Sequence, residues 1–109
     1  MANTFKLKTK ANVGVTTVGI YTAPASTTTV VIGITMANTS GSGVNVGVGI
    51  TRACTTEDIK LLKNAPLPQG SSLEFMAGNK VVLEATDTIT VDSDANNSVD
   101  TALTIMEIT

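Results

Sequence analysis

Asp92-Ser93-Asp94-Ala95-Asn96-Asn97-Ser98 sets oxygen donors at alternate positions, the arrangement with which a calcium loop begins to surround a hard cation. A complete EF-hand loop continues with Gly at its sixth position and Glu at its twelfth, where this chain has Asn97 and Leu103. The segment also falls between two strand-like stretches. It reads as a solvated hairpin tip, with a weak calcium site as the alternative.

Hydroxyls are abundant, with 19 Thr in 109 residues, yet the chain has no His. Imidazole is the side chain most often used as a general base near neutral pH and the commonest metal ligand. No other base stands beside a nucleophile motif, so nothing in the sequence activates a Ser or Thr. Asp92 and Asp94 would suit glycoside chemistry as a carboxylate pair, but most of the acids fall in loops or on polar strand faces. Trp is absent, and only Phe5, Tyr21 and Phe75 could stack on a sugar ring; Phe5 and Phe75 are expected in the core. Cys54 is the single cysteine, which excludes an intrachain disulfide and a zinc cluster. With Arg52 as its cationic neighbour in sequence, it reads as a small filler or an unreactive thiol. Gly41-Ser42-Gly43, Gly47 and Gly49 lack both the Gly-Lys-Ser/Thr of a phosphate loop and the third Gly of a dinucleotide fingerprint. The expectation is a protein that is not an enzyme, with no catalytic residue, no cofactor and no metal.

Two groups of residues are candidates for contact with a partner. Gly47 and Gly49 fall on the outward face of a well-patterned strand, where glycine weakens a sheet unless another backbone must come close. A face packed on another chain is one reading, and a tolerated bare patch is the other. Lys6 and Lys8, with Lys10, line one face of an N-terminal strand. They read as lysines that discourage unwanted pairing at a sheet edge, with a grip on an acidic partner surface as the alternative.

The elements that must position these residues are strands. Successive side chains of a strand alternate between faces. Thr28 to Ala37 alternates with Thr28, Val30, Ile32, Ile34 and Met36 expected inward, and Val44 to Thr51 follows with Val44, Val46, Val48 and Ile50 inward. Asn38-Thr39-Ser40-Gly41-Ser42-Gly43 between them reads as a tight connection, making these two a hairpin. Phe5 to Lys10, Val13 to Thr22, Asp58 to Ala65, Leu73 to Phe75, Lys80 to Glu84, Thr88 to Asp92 and Val99 to Ile108 complete the set. About 8–9 short strands at roughly ten-residue spacing, with no amphipathic helix, predict an all-β fold. The expected architecture is an antiparallel β-sandwich, jelly-roll or Ig-like, as one domain over residues 1–109 with 1–10 as an N-terminal arm or edge strand.

The formal net charge of −2 provides no basic footprint for nucleic acid. No window approaches the roughly 20 apolar residues of a membrane-spanning helix, and the N-terminus has no signal-like apolar stretch. No nucleic-acid or membrane partner is expected, and the chain reads as a soluble protein made inside the cell.

Four phrases carry a resemblance: Ile20-Tyr21-Thr22-Ala23-Pro24-Ala25, Thr29 to Thr39, Leu62-Lys63-Asn64-Ala65-Pro66-Leu67-Pro68-Gln69-Gly70-Ser71-Ser72-Leu73, and Val82 to Val91. In that order the chain resembles small virion structural proteins of tailed bacteriophages, a group that includes capsid decoration (cement) proteins. The likeness runs from Val18 to the end. It departs at Thr86, where the usual residue before the Asp is Gly. The resemblance implies a non-enzymatic virion protein, made in the host cytoplasm, that binds the outer head surface and stabilises the lattice of the major capsid protein, as a homo-oligomer. These phrases are strand and turn chemistry, so no site residue is carried over. The alternatives are a neck, tail, baseplate or fibre component of the virion, and a receptor- or glycan-binding module.

Overall fold

A computed structural model describes residues 3–52, 57–75 and 81–108 of the chain. Cys54, Lys80 and the side chain of Phe75 lie outside the described residues. The strands are β1 (Asn3–Val13), β2 (Val18–Thr22), β3 (Thr28–Asn38), β4 (Val44–Thr51), β5 (Asp58–Leu67), β6 (Ser72–Phe75), β7 (Val81–Leu83), β8 (Thr88–Ser93) and β9 (Val99–Ile108). All pairs are antiparallel, and they are nested: β1 with β9, β2 with β8, β3 with both β6 and β7, and β4 with β5. The first half of the chain thus pairs in reverse order with the second, as one long hairpin. Rolling that hairpin up lays β9 against β3 and β8 against β4. The result is two sheets, ordered β1-β9-β3-β6 with β7 also on β3, and β2-β8-β4-β5. This is a jelly-roll sandwich rather than the immunoglobulin arrangement, whose sheets take strands ABED and CFG.

The core is aliphatic and comes from both sheets: Val31, Ile34 and Met36 of β3 and Leu103 and Ile105 of β9 meet Val46, Val48, Ile89 and Val91. Burying each such side chain is worth about 1.5–3 kcal/mol relative to leaving it exposed. Alternation on β4, β8 and β9 follows the sequence pattern.

Three expectations are corrected. First, β3 and β4 are not a hairpin, because they lie in different sheets. The connection between them is a cross-sheet bend built on buried Asn38, whose Nδ2 donates to the carbonyls of Ser42 (2.8 Å) and Leu67 (3.0 Å). Its Oδ1 accepts from the Ser40 amide at 2.9 Å. Second, Val30 does not face the core. A bulge between Val31 and Gly33 changes the parity of β3, so Thr29 and Val31 point inward before it and Ile34 and Met36 after it, while Val30 and Ile32 are only half-buried. Third, Phe5 and its neighbour Leu7 are exposed, at 68% and 64%. Pairing of Lys6 with Ile105 and Lys8 with Leu103 places the lysines on the inward side of β1 and turns Phe5 and Leu7 out.

Candidate functional site

β1 is an edge strand, and Lys6 and Lys8 are directed at their own chain. The Lys6 ammonium lies 2.9 Å from Glu107 Oε1, and Lys8 Nζ stands 6.0 Å over the Tyr21 ring. Glu107 is buried between the sheets, where Tyr21 of β2 donates its hydroxyl to Oε2 at 2.5 Å. Thr29 Oγ1 lies 2.9 Å from the same phenol oxygen. Since the single phenolic proton goes to Glu107, the Thr29 hydroxyl donates to Tyr21. Burial, followed by the hydrogen bond to the carboxylate, pushes Tyr21 up to about 12. The hydrogen bond from Tyr21 and then the Lys6 contact hold Glu107 below its ordinary value. Lys10 is paired opposite Thr101 at the end where β1 bulges before Val13.

Gly47 and Gly49 lie on the outer side of β4, where both are buried by this chain alone. A Cβ on Gly47 would stand 2.5 Å from Asp92 Oδ1 and 3.2 Å from the Leu62 carbonyl. On Gly49 it would meet the Ile59 carbonyl at 2.9 Å and Thr90 Oγ1 at 3.1 Å. The close backbone that these glycines admit is β5, which shifts register against β4 on either side of Val48. The Asp92 carboxylate crosses above Gly47 to accept from Thr17 Oγ1 at 2.9 Å.

The Asp92–Ser98 loop also turns its donors toward the chain. Asp94 Oδ1 accepts from the Asn45 amide at 3.0 Å, while the Ser93 and Ser98 hydroxyls both reach the Ala95 carbonyl, at 2.8 and 2.7 Å. Asn97 supplies the positive φ of 51° that the tip requires. Among the described residues no group of three or more His, Cys, Asp or Glu is placed to hold a metal.

The outer face of the β1-β9-β3 sheet is where apolar side chains stand open. Registered pairing sets Phe5 beside Met106, Met106 beside Val30 and Val30 beside Val82, a row crossing β1, β9, β3 and β7. Val82 is 56% exposed. The next row is Leu7, Thr104 and Gly33, followed by Thr9, Ala102, Thr35 and Glu74. Small residues at that end, Thr9, Ala11, Thr35, Ala37 and Ala102, line a shallow hollow of about 350 Å³ with Lys10 and Asp100 at its margin. Exposed apolar patches beyond a few hundred Å² mark interaction surfaces. The sequence concealed this face because alternation on β1 identifies two faces without saying which one is inside. Its usable signal was Glu107, an acid that shares the face of Leu103 and Ile105 on β9 and so needs a cation or donors beside it.

No family model and no curated protein matches the chain in sequence. Solved structures match in fold. A chain of the Bacillus endospore appendages, described as disulfide-linked pili, aligns with a TM-score of 0.57 at 17% identity, covering 99% of this chain and 87% of that one. A chain of the infectious bursal disease virus T13 particle aligns with a TM-score of 0.58 at 12% identity, covering 96% of this chain but 30% of the viral one. In the VP2 subviral particle of the same virus the values are 0.50, 9%, 96% and 36%. This chain therefore spans about a third of the viral chains, and what it shares with all three is the antiparallel β-sandwich.

Proposed function

We propose that this chain is a non-enzymatic structural protein of a tailed-phage virion, a decoration protein that binds the outside of the head and braces the major capsid protein. The observation that carries the reading is the open apolar face of the β1-β9-β3 sheet on a sandwich in which the carboxylates of Asp92, Asp94 and Glu107 accept hydrogen bonds from their own chain. A rigid pleated face repeated on a lattice lets many weak contacts act together through effective concentration. Sharing a sandwich with chains of virus particles supports a place in a shell. The resemblance of the Ile20–Ala25, Thr29–Thr39, Leu62–Leu73 and Val82–Val91 phrases to phage virion proteins supports a place in a virion.

Heads assembled without the protein provide the test. Purified protein added back should bind in hundreds of copies per particle and raise the temperature at which packaged DNA escapes. Bare heads after mixing, or equal DNA retention with and without the protein, would reject this role.

A second reading is a subunit that polymerises with its own kind into an appendage or fibre. It is favoured by the pilus match, which takes in 87% of that chain as well as 99% of this one. Electron microscopy of concentrated pure protein separates the two, since filaments formed without heads belong to the second reading.

A further inference from the structure

We infer that the outer face of the β1-β9-β3 sheet is the seat of a second copy of this chain, packed face to face about a two-fold axis that crosses the strands at the row Leu7, Thr104 and Gly33. The argument starts from the unequal ends of the face. Large apolar side chains, Phe5, Met106, Val30 and Val82, stand on one side of that row. The hollow of about 350 Å³ lined by small residues lies on the other. A two-fold axis along the row turns the strands of the second copy around and lays its projecting side chains over the hollow of the first, and the reverse. An isologous contact requires this self-complementarity of one patch.

Gly33 lies in this row beside Thr104. It is on β3, an interior strand of the sheet, its φ is not in the left-handed region, and a Cβ built on it would meet nothing within 4 Å. Gly47 and Gly49 are glycine because their own chain fills the space, whereas the space above Gly33 is open. The extent of the face also suits a second copy. Five rows of pairs, from Asn3, Ile108 and Thr28 at one end to Asp100, Ala37 and Ser72 at the other, span about 30 Å along strands that rise roughly 3.3 Å per residue, and the three or four strands in each row, spaced about 4.8 Å, span about 15–19 Å. That is roughly 500 Å² per copy, so two copies bury about the 1,000 Å² that a specific interface needs. The β1 edge offers a poorer contact, because Lys6 and Lys8 point inward along it, a device that discourages strand addition.

The pairing rests on the reading of the chain as an assembling structural protein, and the two fail separately. Sedimentation of the pure full chain should show a dimer that dissociates on dilution. Gly33→Lys should shift it to a monomer by at least tenfold in dissociation constant, with an unchanged thermal transition as proof of folding. If that variant does not fold, Thr104→Lys, an exposed position in the same row, serves in its place. A monomer at every concentration up to about 1 mM overturns the pairing, as does a dimer indifferent to both substitutions. Heads that bind a strictly monomeric protein would sink the pairing and leave the capsid role. A Gly33-dependent dimer that leaves heads bare would do the opposite.

Discussion

Tyr21 of β2 and Glu107 of β9 are joined across the interior of the sandwich by a 2.5 Å hydrogen bond, with Lys6 of β1 closing the carboxylate from the other side at 2.9 Å. A buried charge is tolerated only when paired and hydrogen-bonded, so three strands from two sheets are tied at one polar point. Tyr21→Phe should cost about 1–3 kcal/mol of unfolding free energy by leaving the carboxylate one donor short. Equilibrium denaturation measures it, and an unchanged midpoint refutes the tie.

The same pair sets both ends of a pH profile. Glu107 is held below its ordinary value in the fold, so its contribution is present above the unfolded carboxylate range and lost as pH falls through the lower folded value. Tyr21 is pushed from 10.0 to about 12, so its contribution is full below pH 10 and lost as pH rises toward 12. Melting temperature against pH should show a smaller acid-side decline in Glu107→Gln and a smaller decline between pH 10 and 12 in Tyr21→Phe than in the parent.

Gly49→Ala should destabilise the fold by about 1–3 kcal/mol, because the new methyl would press on the Ile59 carbonyl at 2.9 Å. Gly47→Ala should cost less, since its nearest contact is the movable tip of Asp92. Gly33→Ala, with open space above it, should be close to neutral. Chemical denaturation of the three variants checks the order, and equal losses at Gly33 and Gly49 would refute it.

Thr86 holds a φ of 70°, a conformation that costs a β-branched residue about 1–2 kcal/mol. It persists because the turn is pinned on both sides, by Thr86 N to the Ala23 carbonyl at 2.8 Å and Asp87 N to the Glu84 carbonyl at 3.0 Å. Thr86→Gly should therefore raise the melting temperature, and a fall would show that the threonine is not strained.

Asn38→Ala should cost about 2 kcal/mol or more, since it leaves the Leu67 carbonyl without this donor in a buried place and frees the bend between the sheets. Thermal unfolding reads the loss. Asn38→Asp should recover little, because a carboxylate cannot donate to the Ser42 and Leu67 carbonyls.

Strand identity was legible over most of the described residues, residues 14–17 within the expected Val13 to Thr22 strand being an exception, because alternation with period two is a local property of the chain and Val44 to Ile50 or Ile89 to Val91 display it without outside help. The inventory of reactive groups was legible too, since a chain without His and with one Cys carries few groups for general-base or metal chemistry. Which face of a strand is inside is not a local property. On β3 a one-residue bulge exchanged the faces midway, and on β1 the pairing with β9 set Lys6 inward and Phe5 outward against the hydrophobic pattern. Nor could spacing tell a hairpin from a cross-sheet bend at Asn38, because the partner that decides it, the Leu67 carbonyl, lies 29 residues away. The sequence by itself determined what most of the elements are and which reactive groups the chain carries. Only the tertiary structure decided which surface is left open, because that depends on register between distant strands, which no short window of residues contains.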